Sequence, residues 1–111
     1  MKEIKAYIRP QKADIVIEKL EKAGVKGMTI LDANALADWA DKDAFSFSME
    51  YVEKYSRVVK LEIVCNKEDV EELLSVLQKY AYTGESGDGW IFVSNVEKAI
   101  RIKTGQTNKI N

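Results

Sequence analysis

The sequence predicts an α+β ferredoxin-like sandwich. Apolar residues alternate with a period of two in several short stretches and recur with a period near 3.6 in two longer ones. The order of these stretches is strand–helix–strand, twice. Two split βαβ units of this kind make an antiparallel sheet with two helices on one face.

Lys2 to Arg9 is the first strand, with Ile4, Ala6 and Ile8 on one side and Lys5, Tyr7 and Arg9 on the other. Pro10 ends it. From Ala13 the period changes: Ala13, Val16, Ile17, Leu20 and Ala23 share one helix face, and Gly24 stands where helices commonly stop. Gly27 to Ala33 is a second strand. Val58 to Cys65 is a third, in which Val59, Leu61, Ile63 and Cys65 alternate with Lys60, Glu62 and Val64. The second helix carries Val70, Leu73, Leu74, Leu77, Tyr80 and Ala81 as one buried stripe. Trp90 to Val93 begins a fourth strand. A faint repeat, Ile8-x-x-x-Lys12-x-Asp14 and Ile63-x-x-x-Lys67-x-Asp69, places the two strand-to-helix turns at an offset of 55 residues. The second sheet face presents Lys5, Tyr7, Lys60, Glu62 and Val64, a mixture that suits a subunit interface.

With 111 residues the chain is expected to be a single domain, 1–111, small enough that oligomerisation would help it. Its 17 Lys+Arg against 18 Asp+Glu give no basic footprint for a nucleic acid. No apolar run reaches membrane-spanning length, and the start does not read as a signal peptide, so a cytoplasmic location is expected. The chain has no histidine and one cysteine, Cys65, which reads as a buried core thiol. No base–nucleophile pair is found, and the expectation is a protein that is not an enzyme and carries no cofactor or metal.

Asn34 to Arg57 lacks proline, glycine and any clean period. A connection longer than about fifteen residues in a small domain is usually functional or disordered. Trp39, Phe45, Phe47 and Met49 argue against a solvated linker. They either form a contact surface for another protein or pack on the domain or a neighbouring subunit. Asp38, Asp41 and Asp43 match no EF-hand spacing and read first as a solvated acidic turn.

Gly84, Gly87 and Gly89 fall within six residues, between the second helix and the last strand. Glycines let successive amides point into a nest that suits a phosphate. Arg101 and Lys103 follow, read as two cations on one side of a short extended segment. Nest and cations together suggest a nucleotide-phosphate site, although the spacing is neither the Walker A pattern nor the dinucleotide fingerprint. A turn before the last strand is the plainer alternative.

Several segments together resemble the PII signal-transduction family over nearly the whole chain. They are Arg9-Pro10-x-Lys12, Gly24-x-x-Gly27-Met28-Thr29, Glu50-Tyr51-Val52, Lys60-x-Glu62-Ile63-Val64, Thr83 to Val93, and Arg101-x-Lys103-Thr104-Gly105. The resemblance implies a ferredoxin-like homotrimer with adenine nucleotides (ATP, ADP, AMP or cyclic AMP) in the clefts between subunits. It implies a long T-loop, here about 37–54, that docks on a target, with a membrane transporter or its accessory protein expected. Thr29 and Val64 would border the adenine, with Glu62 beside it. Gly87, Asp88 and Gly89 would wrap the ribose and phosphates, next to Trp90. Ala37 and Asp38, at the base of the loop, would also bind the nucleotide. Arg101 and Lys103 would reach the phosphates from a neighbouring subunit. Trp39, Phe45, Phe47, Met49 and Tyr51 would form the partner-binding loop.

The chain departs from the family pattern at several places. Ala35 and Ala37 stand where glycines are usual, Trp39 where a glutamine is usual, Val58 where a lysine grips 2-oxoglutarate, and Trp90 where a phosphate-binding lysine is usual. Losing one charged hydrogen bond costs about 1.5–3 kcal/mol, or roughly tenfold to hundredfold in affinity. The expectation is therefore weakened ATP preference and a lost 2-oxoglutarate response. Tyr51 aligns with a tyrosine that some bacterial members nucleotidylate, yet here it reads first as a packing tyrosine. The alternative function is a metal-responsive PII-like protein linked to heavy-metal efflux, without nucleotide dependence. An RNA-binding module is disfavoured, because Tyr7 alone makes a poor stacking platform.

Overall fold

A computed structural model describes residues 1–36 and 56–108 of the chain. The elements run β1 (Lys2–Ile8), α1 (Ala13–Lys22), β2 (Thr29–Ala35), β3 (Ser56–Cys65), α2 (Val70–Ala81) and β4 (Ile91–Asn95). The strands form one sheet in the order β2-β3-β1-β4, and each neighbouring pair is antiparallel. This is the ferredoxin-like arrangement that the order of periods predicts.

The core is made where alternation in the strands meets the helical stripes. Ile4, Ala6 and Ile8 of β1 and Val59, Leu61, Ile63 and Cys65 of β3 pack with Val16 and Leu20 of α1 and Val70, Leu73 and Leu77 of α2. The central strands β1 and β3 thus supply most of the buried sheet face. Burial also pushes the Cys65 thiol up from its ordinary pKa, as expected for a core thiol rather than a nucleophile. α1 ends as its sequence predicts. Gly24 has φ 101°, its amide donates to Glu21 O at 3.0 Å, and the Val25 amide donates to Leu20 O at 3.1 Å. These two bonds are the Schellman pattern, which needs a residue at ease in the left-handed region.

Five boundaries differ from expectation, among them the start of β4, which is at Ile91 rather than Trp90. β2 begins at Thr29 and runs to Ala35, and β3 begins at Ser56. Asn34 and Ala35 therefore pair with Arg57 and Ser56, so both ends of the long middle segment belong to the sheet. Ladder pairing overrides a local sequence that carries no alternation there. Arg9 lies beyond β1 and is buried rather than on the open face. The repeat is also out of register. Ile8 corresponds to Cys65, Pro10 to Lys67 and Ala13 to Val70, two residues further along than the matched letters suggest. Each strand leaves through a short 3-10 turn (Pro10–Lys12 and Lys67–Asp69) before its helix, so geometry repeats although the letters do not.

The other sheet face carries the residues predicted for it. Lys5 sits opposite Glu62, Tyr7 opposite Lys60, and Glu3 opposite Val64. Lys60 pairs with Glu62 at 3.1 Å and lies 5.7 Å from the Tyr7 ring centroid. Beside them, Tyr7, Ala33, Ala35 and Val58 form a small second apolar cluster. Among the described residues no helix is long and apolar enough to cross a membrane.

Leu61 is fully buried on β3 at the centre of the core. Leu61→Ala is expected to lower unfolding stability by about 2–5 kcal/mol. Denaturant unfolding followed by circular dichroism checks this.

Candidate functional site

The connection from α2 to β4 is built around one carboxylate. Thr83 donates to Asp88 through its amide (2.9 Å, Oδ2) and its hydroxyl (2.5 Å, Oδ1). The Gly84 amide donates to Oδ2 at 3.0 Å, and Arg9 Nε donates to Oδ1 at 2.9 Å. A second Arg9 nitrogen, Nη2, donates to the Ser86 carbonyl at 2.6 Å. Both oxygens of Asp88 are therefore engaged within the chain. Burial alone would raise this carboxyl, but the donors from Thr83, Arg9 and Gly84 outweigh it and hold the pKa at about 2.

The glycines have distinct reasons to be glycine. Gly84 (φ 82°) and Gly87 (φ 103°) take left-handed backbone angles. Gly89 does not; a Cβ there would lie 2.1 Å from the Tyr7 carbonyl oxygen. The turn is pressed against the end of β1, and the Tyr7 amide donates to Trp90 O at 2.9 Å. Trp90 then stacks on Phe92 (6.1 Å, 13°), and Phe92 meets Tyr7 edge-on (6.0 Å, 78°). Trp90 is nevertheless 54% exposed.

A cavity of about 580 Å³ lies at another corner of the molecule. Thr29, Glu62 and Val64 line it, together with the α1–β2 connection around Lys26 and the first turn of α2 near Asp69. Its origin is a difference in strand length. β2 starts opposite Glu62, whereas β3 continues to Cys65, so among the described residues Ile63 to Cys65 have no strand partner on the β2 side. Glu62 is held by Lys60, and that hydrogen bond is the main cause of the raised Lys60 pKa.

Arg101 and Lys103 are not on an extended segment. Ile102 to Thr104 form a turn, closed by the Gly105 amide donating to Arg101 O at 2.8 Å and by the Arg101 amide donating to Gln106 O at 2.9 Å. Gly105 at φ 71° permits the reversal, and Ile100 bridges Thr107. Both cations are exposed, and so is Ile102 between them.

One chain therefore brings together Thr29, Glu62 and Val64, and separately Gly87, Asp88, Gly89 and Trp90. The first group is on the β2–β3 side of the sheet and the second leads into β4, the opposite edge. The C-terminal turn enters from the far end of β1, where the Val96 amide donates to Met1 O at 3.1 Å. The sequence reading places Arg9 on the open face of the first strand and in a strand-exit motif, and misses it as a partner of Asp88. The expected nucleotide residues Ala37 and Asp38 and the expected partner-binding residues Trp39, Phe45, Phe47, Met49 and Tyr51 lie outside the described residues, as do Asp41 and Asp43. Among the described residues no cluster of three or more His, Cys, Asp or Glu side chains could hold a metal ion.

Comparison with known proteins gives one consistent result. The family model described as "Nitrogen regulatory protein P-II" matches residues 1–106. A nitrogen regulatory protein P-II of Mesorhizobium japonicum is 40% identical over 107 residues, covering 96% of each chain. One from Pasteurella multocida is 38% identical over 98% of this chain and 97% of its own. Nitrogen regulatory protein P-II 2 of Methanothermobacter thermautotrophicus is 38% identical over 98% of this chain and 95% of its own.

Two outcomes follow from the turn. Gly89→Ala forces a methyl group onto backbone and is expected to cost about 1–3 kcal/mol in denaturant unfolding. Asp88 has a folded pKa of about 2, below its ordinary 3.8, so its contribution to stability is complete above the ordinary value. That contribution declines as pH falls from 3.8 through about 2. Acid unfolding of Asp88→Asn, compared with the parent, is expected to show a shallower loss across that window.

Proposed function

The chain belongs to the nitrogen regulatory protein P-II family, and from that membership we propose that it is a trimeric, non-catalytic regulator that binds adenine nucleotides between subunits. The observation that carries this reading is the separation of two complementary half-sites. The cavity beside Thr29 and Val64 is open and presents the unpaired backbone edge of β3, suited to the rim of a flat heteroaromatic base. In the Gly84–Gly89 turn the Gly84, Glu85 and Asp88 amides are engaged within the chain, so a phosphate is left to those of Ser86, Gly87 and Gly89. Edge strands β2 and β4 are three strand spacings apart, about 14 Å, so one chain does not close a compact site. Packing a second chain against the open face joins the half-sites.

That face is suited to self-association. It carries Lys5, Glu3, Lys60 and Glu62 as internally paired charges, beside Tyr7, Phe92 and Trp90. Paired charges and aromatic area fit a subunit contact without leaving an ion stranded. Arg101 and Lys103, exposed on their turn, then serve a neighbour's phosphates. The segment 37–54 is assigned to target docking, and a membrane transporter or its accessory protein is the class of target. Nucleotide identity acts by contacting two loop states differently. Without the glutamine and lysine that would serve 2-oxoglutarate, that response is absent.

Calorimetry with ATP, ADP, AMP and cyclic AMP tests the reading. Binding of at least one with a stoichiometry near one per chain is expected, and binding of none contradicts it. Trp90 supplies an aromatic stack where a cation would meet a terminal phosphate. Trp90→Lys is therefore expected to strengthen ATP roughly tenfold or more relative to AMP in the same calorimetry.

A further inference from the structure

We infer that Arg9 is a positioning residue of the nucleotide site: it fixes the shape and the charge of the Ser86–Asp88 turn without itself contacting the ligand. The inference rests on the nucleotide reading of that turn. Arg9 is only 6% exposed, on the residue that follows β1. Its guanidinium reaches two different acceptors, Asp88 Oδ1 at 2.9 Å and Ser86 O at 2.6 Å. A planar fork holds two acceptors in a fixed relation, whereas an ammonium is a point charge on a flexible stem. The turn is thereby pinned at two points to the end of β1. Gly89 against Tyr7 O and the Tyr7 amide on Trp90 O pin it at two more.

Charge gives Arg9 a second task. Asp88 is ionised and sits within the amide turn that is to receive a phosphate. An unpaired carboxylate there repels a phosphate; paired with Arg9, it does not. The Asp88 oxygens also accept from Thr83 and Gly84, so the carboxylate is committed to holding the loop. Asp88 and Arg9 are therefore one device. Removing Arg9 leaves a partly buried anion beside the phosphate position and frees the Ser86 carbonyl.

Hydrogen exchange by mass spectrometry on ligand-free Arg9→Met, together with calorimetry with ADP, tests this. Exchange across 83–88 is expected to rise roughly tenfold or more, while β1 and β3 keep their protection. ADP binding is expected to weaken roughly tenfold to hundredfold, and Arg9→Lys to recover part of both effects. The double variant Arg9→Met/Asp88→Asn is expected to bind ADP no worse than Arg9→Met, because the repelling charge is gone. Unchanged exchange in 83–88, or ADP affinity equal to the parent, overturns the inference. If Arg9→Met does not fold, Asp88→Asn carries the same exchange test with the same two outcomes. If the parent protein itself binds no ADP, the nucleotide assignment is overturned, while the exchange result still decides whether Arg9 orders the turn.

Discussion

Four hydrogen-bond donors converge on one carboxylate, and the candidate site depends on that convergence. Thr83 and Gly84 approach Asp88 from the end of α2, and Arg9 approaches from the end of β1. Without them a segment with three glycines in six residues would sample many conformations, since glycine loses the most backbone freedom on ordering. With them the turn is tied to the two central elements of the core. A partly buried, charge-assisted network of this kind is costly to break and leaves little room for alternatives. The rigid sheet thus extends its order into the glycine turn.

The sheet also sets what the loop can do. Its order, β2-β3-β1-β4, places the cavity and the turn at opposite edges. The C-terminal cations emerge by the start of β1 rather than its end. A single chain therefore keeps the cavity and the turn apart. The aromatic group of Trp90, Phe92 and Tyr7 gives the open sheet face apolar area. Family membership sets the regulatory class of the protein. On the proposed nucleotide reading, the particular residues at this corner would set which nucleotide is favoured.

The fold was legible because its period changes are clean. Alternation from Ile4 to Ile8 and the stripe from Val70 to Leu77 each predict burial that the core reproduces. Boundaries were less so. Asn34, Ala35, Ser56 and Arg57 carry no pattern of their own, and only pairing across the β2–β3 ladder makes them strand. The glycine turn was visible as composition, but its organiser was not. Arg9 and Asp88 are almost eighty positions apart in sequence, and nothing local links them. Arg101 to Gly105 read as extended because two cations alternate there, yet the left-handed Gly105 closes a turn. Gly89 was read as a ligand-facing residue, whereas contact with Tyr7 O already requires glycine at that position.

A subunit-complementation measurement tests the composite site most directly. One variant lacks the cations (Arg101→Ala/Lys103→Ala) and the other has a broken turn (Asp88→Asn). Each alone is expected to bind ADP weakly. Refolded together as mixed oligomers, they form some junctions with an intact turn from one chain and intact cations from the other. Recovery of a tight-binding fraction in calorimetry is the predicted result. A mixture that binds no better than its two components, with mixed oligomers verified by mass spectrometry, would contradict a site shared between chains.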